Sequence, residues 1–271
     1  MCRLYGFRSN APRKVECELI RAQNALLAQS VHDERGQSNP HGWGLGVYEN
    51  GTVCVEKQAH AAYDSDEFRW AAAQIHAGKV MAHVRRATVG KINLVNTHPF
   101  EYGSWLFAHN GNLGAFKAIR PSLLAAMPDT HRRAIYGDTD SEHVFHFLLS
   151  LYKQYPALTL LSVLRRGVRQ VMDLSHEADP NAEVALNLLL SDGNILAGAR
   201  LNRSLWFVER MDVHPCDVCG GALHVESDPG AGYRAVVVAS EPITRTESWT
   251  EIPDHSLFLI DREIHLHIES L

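Results

Sequence analysis

The chain has 271 residues, 45% of them hydrophobic and 21% charged. That excludes a mainly disordered state and supplies enough apolar surface for a sizeable core without staples. A formal net charge of −5 from 26 basic and 31 acidic residues, with no basic block and no apolar run near the roughly 20 residues that span a bilayer, argues against nucleic acid or a membrane as main partner. The length favours one large domain over residues 2–271. The start, Met1 to Phe7, has no signal-peptide layout. Five cysteines, Cys2, Cys17, Cys54, Cys216 and Cys219, form no disulfide framework, and an odd count in a leaderless chain points to a reducing cytoplasm.

In chain order, Val15, Leu19, Ala22 and Leu26 are spaced as one helix face, predicting a helix to about Ser30. Segment 31–42, rich in His, Asp, Gly, Asn and Pro, reads as a loop. Trp43 to Tyr48 and Thr52 to Glu56 read as two strands joined by Glu49-Asn50-Gly51. Phe68, Ala71, Ala72 and Ile75 mark a second amphipathic helix, and Lys79 to Arg85 and Trp105 to His109 are strand candidates. Thr139 with Glu142 fits a capping box. It opens a helix with Val144, Phe147, Leu148, Leu151 and Tyr155 on one face, and Leu161, Leu164, Val168 and Val171 predict another to about Ser175. Strands follow at 183–190, 195–200, 204–209, 233–239 and 257–268, with Asp192-Gly193-Asn194 as a hairpin turn. Strands, two central helices, then strands suit an α+β domain with antiparallel sheets. Gly42 to Gly46 lacks the G-x-G-x-x-G spacing and precedes no helix, which removes a dinucleotide site.

Cys2 carries the most chemical information. Removal of Met1, which a small second residue permits, would leave one residue bearing both a thiol and an α-amine. With ordinary pKa values of about 8.5 and about 7.7–8.0, the amine can take the thiol proton and later return it to a leaving group. By itself, a cysteine at position 2 is more simply read as chance.

Four further motifs follow in order: His83-Val84-Arg85-Arg86-Ala87-Thr88-Val89-Gly90, Asn96-Thr97-His98-Pro99-Phe100, Ala108-His109-Asn110-Gly111-Asn112-Leu113, and Gly137-Asp138-Thr139-Asp140-Ser141-Glu142. With Met-Cys at the start, this set resembles the class II glutamine amidotransferases. Val237-Val238-Ala239-Ser240-Glu241-Pro242 is similar to that family's closing strand. The resemblance implies a four-layer αββα sandwich, the N-terminal-nucleophile hydrolase fold. It also implies attack of the Cys2 thiolate on a γ-glutamyl amide through a thioester. Asn110 and Gly111 are implied as oxyanion donors and Arg85 as the fork for the substrate α-carboxylate, flanked by Thr88 and His98. Asp140 is implied as the partner of the α-ammonium. Read singly, these residues have plainer explanations: a hairpin turn for Asn110-Gly111, a solvated charge for Arg85, a helix cap for Asp140 and a loop histidine for His98. Arg86 and Val89 depart from the aromatic residue and the His often found in synthase-linked members, and His41 stands where stand-alone members often have Asp. Those changes put strict glutamine specificity in question. Trp43 is expected to be core.

Cys216-x-x-Cys219 is similar to half of a zinc knuckle, with His214 and His224 as conceivable further ligands. A pair of thiols on a surface loop is the plainer reading, and no metal or cofactor is assigned. His143 and His146 read as structural. The expected activity is cleavage of glutamine or a γ-glutamyl compound to glutamate and ammonia or an amine. An ammonia-supplying subunit of a separate synthase and a non-catalytic glutamine sensor stand as alternatives. The sequence leaves the leaving group and the oligomeric state open.

Overall fold

The structure is a computed structural model that describes residues 2–212, 216–221 and 232–271. In chain order it runs β1 (Arg3–Lys14), a π-helical turn (Cys17–Arg21), α1 (Leu26–Val31), β2 (Trp43–Glu49), β3 (Thr52–Gln58), α2 (Asp66–Gln74), β4 (His76–Val84), β5 (Phe100–Tyr102) and β6 (Trp105–Leu113). The helices α3 (Phe116–Ala126), α4 (Asp129–Arg132), α5 (Asp140–Gln154) and α6 (Leu160–Ala178) follow. The chain ends in β7 (Val184–Ser191), β8 (Leu196–Arg200), β9 (Trp206–Met211), β10 (Arg234–Ala239), β11 (Thr250–Glu251), β12 (Ser256–Ile260) and β13 (Leu266–Ser270).

The strands form two antiparallel sheets, ordered β11-β9-β10-β1-β4-β2-β3 and β13-β12-β8-β7-β6-β5. Their two-residue period assigns side chains to layers. In β10, Ala235, Val237 and Ala239 face the helical layer of the first sheet, while Val236 and Val238 face the second sheet. In the second sheet, Phe107, Leu186, Leu188 and Leu190 pack under α3, α5 and α6, while Leu106, Ala108 and Leu189 point back to the first sheet. The order of layers is therefore helix, sheet, sheet, helix, the four-layer αββα sandwich expected. Each fully buried Leu or Val contributes about 1.5–3 kcal/mol, so these three contiguous clusters supply the main driving force.

The β2–β3 hairpin turns at Asn50 (φ 50°) and Gly51 (φ 81°), the paired positive φ of a type I′ turn. Trp43 is fully buried and meets Phe68 edge-on at 5.4 Å, as expected of a core residue.

Four expectations are corrected. The helix predicted over 15–30 is two pieces. Ala22 is extended, and the Asn24 side chain donates to Glu241 Oε2 (3.1 Å) and the Pro242 carbonyl (2.9 Å), so a tertiary anchor breaks the helical path. The strand predicted over 257–268 is a hairpin, because Asp261 Oδ1 accepts from the N–H groups of Glu263 and His265 and folds the chain back. The capping box is half made: Thr139 Oγ1 accepts from Glu142 N at 3.2 Å, but the Glu142 carboxylate goes to the N–H groups of Tyr136 and Gly137. The central helices include α3, whose internal Pro121 hides it from sequence inspection; buried Phe116, Ile119 and Leu123 hold it in place. Among the described residues, no helix is long and apolar enough to cross a membrane.

Candidate active site

Cys2 sits half-buried at the mouth of β1. Its sulfur lies 3.3 Å from the Arg86 N–H, which donates to it, and 3.4 Å from the Arg86 carbonyl oxygen. Burial raises the thiol pKa, opposed by that N–H and by the Arg85 and Arg3 charges. Met1 lies outside the described residues. The next residue, Arg3, is buried and anchors the strand end. Its Nε donates to Glu241 Oε1 (2.5 Å), its Nη2 pairs with Asp33 (3.0 Å), and its Nη1 donates to the Cys2 carbonyl (3.0 Å). Glu241 Oε1 also accepts from Glu34 N, so the turn after residue 30 and the segment after β10 clamp the same cation.

Arg85 follows β4 directly. It is buried, and its backbone is pinned between Gly42 and His41. Its guanidinium donates to the carbonyls of Val89 and Lys91, both at 3.0 Å, which curls residues 86–91 around it. Burial lowers its pKa, while the charges of Cys2, Asp138 and Asp140 act to hold it up. Three of the expected residues, Cys2, Arg85 and Asp140, thus share one electrostatic neighbourhood. Thr88 is exposed on the same loop. A reciprocal pair braces that loop from the other side: Asn96 Nδ2 donates to Asp138 Oδ1 (2.5 Å), and Asp138 N donates to Asn96 Oδ1 (3.0 Å).

His98 is buried, stacked on His83 with ring centroids 4.2 Å apart, and edge-on to Phe100. Both His98 ring nitrogens lack a partner among the described residues. Burial holds His98 well below the usual histidine pKa and takes His83 down to about 3, so both rings are neutral at pH 7.

Asn110 and Gly111 lie on β6, opposite Asn187 and Leu186. Asn110 is buried; its Nδ2 donates to Ser240 Oγ at 3.3 Å, while its Oδ1 has no partner among the described residues. The same Ser240 oxygen accepts from Leu4 N at 2.9 Å, and Ser240 N donates back to the Leu4 carbonyl. One hydroxyl therefore joins the Asn110 amide to the strand that carries Cys2. Gly111 is obligatory, since a Cβ there would overlap the Ala185 carbonyl and crowd the His109 ring. Asp140 opens α5; its Oδ2 accepts from Leu113 N (2.9 Å) and its Oδ1 from Ser141 N (2.8 Å). It is oriented by the residues just after Asn110 and Gly111.

The two histidines on α5 are structural, as expected. His143 donates from Nδ1 to the Thr139 carbonyl and accepts from Arg120 at Nε2, and His146 contacts His131 and Tyr102. Sequence reasoning passed over Arg3 and Asp33, and saw Asn96, Asp138, Ser240 and Glu241 only as parts of quoted motifs, with no role of their own. Ser240 and Glu241 stood in the quoted motif, whereas nothing local marks Asp33. The Cys216-x-x-Cys219 pair is joined by a third thiol, Cys17, which the sequence reading had left apart. His214 and His224 lie outside the described residues.

The architecture is a four-layer αββα sandwich with a cysteine at the head of a central strand of its first sheet. Residues 1–267 match the family model of the class-II glutamine amidotransferases, and the chain belongs to that family. It is 29% identical to the probable glutamine amidotransferase DUG3 of Saccharomyces cerevisiae, over 98% of this chain and 84% of the relative. It is 28% identical to the gamma-glutamyl-hercynylcysteine sulfoxide hydrolase of Mycolicibacterium smegmatis over the full length of both. Among solved structures, a glutamine aminotransferase class-II domain protein from Silicibacter pomeroyi superposes with a TM-score of 0.67 at 21% identity, covering 99% of each chain. The PRPP amidotransferase of B. subtilis does so with a TM-score of 0.61 at 16% identity, over 99% of this chain and 49% of that one. At those identities the two structures speak to the fold alone.

Proposed function

We propose that this protein is a γ-glutamyl amide hydrolase whose nucleophile is the thiolate of Cys2, made N-terminal by removal of Met1. The observation that carries the reading is the setting of the Cys2 sulfur, which accepts from the Arg86 N–H and is favoured as a thiolate by the Arg85 charge. The freed α-amine takes the thiol proton. The thiolate attacks the side-chain amide carbon, and the tetrahedral oxyanion is held by Asn110 Nδ2 and Gly111 N–H. The proton returns to the leaving nitrogen, which departs as ammonia or an amine and leaves a glutamyl thioester on Cys2. Water then attacks the thioester and releases glutamate.

The glutamyl end is gripped at both charges. Arg85 spends two donors on loop carbonyls, and the rest of its five N–H groups suit the α-carboxylate. Thr88 and the neutral His98, with unpartnered ring nitrogens among the described residues, flank it. Asp140 accepts from the α-ammonium with the lone pairs that the Leu113 and Ser141 N–H groups and the Ser141 hydroxyl leave unused. Because both ends of the glutamyl group are fixed in the same way for every substrate, selectivity falls to the leaving-group side.

A mass-spectrometric screen of the purified protein against glutamine and a panel of γ-glutamyl thiols and amines tests this. The expected result is turnover without a partner, at least about tenfold better on a γ-glutamyl thiol or amine than on glutamine, roughly 1.4 kcal/mol in transition-state binding. A glutamyl adduct should appear on Cys2 in the intact mass of protein lacking Met1. Full activity in protein retaining Met1 would overturn the amine base. Glutamine as the better substrate, stimulated by a co-purifying synthase, would replace hydrolysis with ammonia supply to that partner.

A further inference from the structure

We propose that Cys17, Cys216 and Cys219 form a three-thiolate site for zinc or another thiophilic divalent cation, distinct from the γ-glutamyl site. Their sulfur atoms all lie within 4.8 Å of one another. Tetrahedral coordination at about 2.3 Å per sulfur places ligands about 3.8 Å apart, so the cluster needs little adjustment to close on an ion. The three residues come from opposite ends of the chain. Cys17 opens the π-helical turn that follows β1 and is buried, whereas Cys216 and Cys219 lie in the connection between β9 and β10.

The backbone of the pair is shaped for ligation. Gly220 N donates to the Cys216 carbonyl at 2.7 Å, Cys216 N donates to the Gly221 carbonyl at 2.6 Å, and Gly220 takes φ +73°. This tight turn sets both thiols on one side, and the positive φ explains the glycine. The Gly221 N–H donates to the Cys219 sulfur and favours its thiolate form. With the three sulfurs this close, thiolates repel one another unless a cation lies among them. A cavity of about 570 Å³, lined in part by Cys17, Glu18, Cys216 and Asp217, gives an ion a path in.

Binding is proton-balanced: three thiols release three protons as one divalent ion takes three thiolate sulfurs, with the fourth position filled by water or another ligand. The bound ion pins residues 216–221 to the π-helical turn that carries Cys17.

The test uses the full chain purified under reducing conditions, with metal content by mass spectrometry and cobalt substitution read by absorption. About one zinc per chain is expected, together with thiolate-to-cobalt charge-transfer and tetrahedral ligand-field bands. Both should be lost in C17S, C216S and C219S and kept in C54S. A chelator should lower the melting temperature of the wild type but not of C219S, whose exposed position keeps that arm informative if the buried C17S fails to fold. Reduced protein that carries no metal and develops no cobalt bands would overturn the site, as would an unchanged cobalt spectrum in C219S or a disulfide within the cluster in metal-free protein. These readouts are independent of γ-glutamyl turnover.

Discussion

The two helical layers of the sandwich are built from different physics. Over the second sheet, α3, α5 and α6 bury a continuous hydrocarbon surface, with Leu148, Leu164, Val168 and Val171 at or below 1% exposure. Over the first sheet the helices are short, and buried charge threads the layer. Glu18 pairs with both Arg13 and Arg210, Arg210 with Glu247 at 2.5 Å, and Arg3 with Asp33 and Glu241. Buried ion pairs add little net stability when intact, because desolvation offsets the attraction, but they are costly to break. They do fix where groups sit. The layer that holds the thiol cluster adds directional bonds to its apolar cluster, whereas the layer of α3, α5 and α6 is held mainly by area.

The largest expected effect follows from that contrast. Glu18→Gln leaves two buried guanidinium groups without their shared carboxylate and should cost about 3–5 kcal/mol in urea unfolding. Asn110→Ala should raise the catalytic barrier by about 2.7–4 kcal/mol. It should act in kcat rather than KM and leave the denaturation midpoint close to that of the wild type. A rise in KM at constant kcat would remove Asn110 from the oxyanion role. Leu164→Ala in the hydrocarbon layer should cost about 2–5 kcal/mol while leaving kcat and KM unchanged in the folded fraction; a changed kcat would show that the layers are coupled.

Buried histidines and buried carboxyls should answer acid differently. Burial holds His83 at about 3, His146 at about 4 and His98 well below its usual value. The unfolded chain therefore takes up their protons first, and stability is full above pH ~6.5 and declines as pH falls toward those values. His146→Leu should flatten the slope between pH 6 and 5 by about 1.4 kcal/mol per pH unit. For Asp33, burial works upward, but the Gln37 N–H and Arg3 outweigh it; for Glu247, burial is outweighed by Arg210. Both carboxyls end below their ordinary values, so their contribution is present above about pH 4 and lost only below it. Urea midpoints measured across pH separate the two windows. The smallest effect expected is from Thr139→Ala, about 1 kcal/mol for a lost N-cap, because the Glu142 carboxylate bonds elsewhere and survives the change.

How much of this was legible in the sequence depended on the range of the determining force. Helices α2, α5 and α6 and the β2–β3 hairpin were readable because the apolar period and the turn residues are local. The residues expected at the site were found as an ordered set of motifs, and their order survives folding whatever the layers do. Three-dimensional structure decided what local signals could not. Asn24, tied to Glu241 and Pro242, breaks a helix that its own sequence favours. Ser240 reaches across from β10 to join Asn110 to the Cys2 strand, though 130 residues separate it from Asn110. Cys17 meets Cys216 and Cys219 only because antiparallel pairing lays β1 beside β10, and β10 beside β9. Sequence determined which groups the chain owns and which short segments are helix, strand or turn. Which of those groups meet was settled by sheet order, a property of long-range pairing that no local pattern encodes.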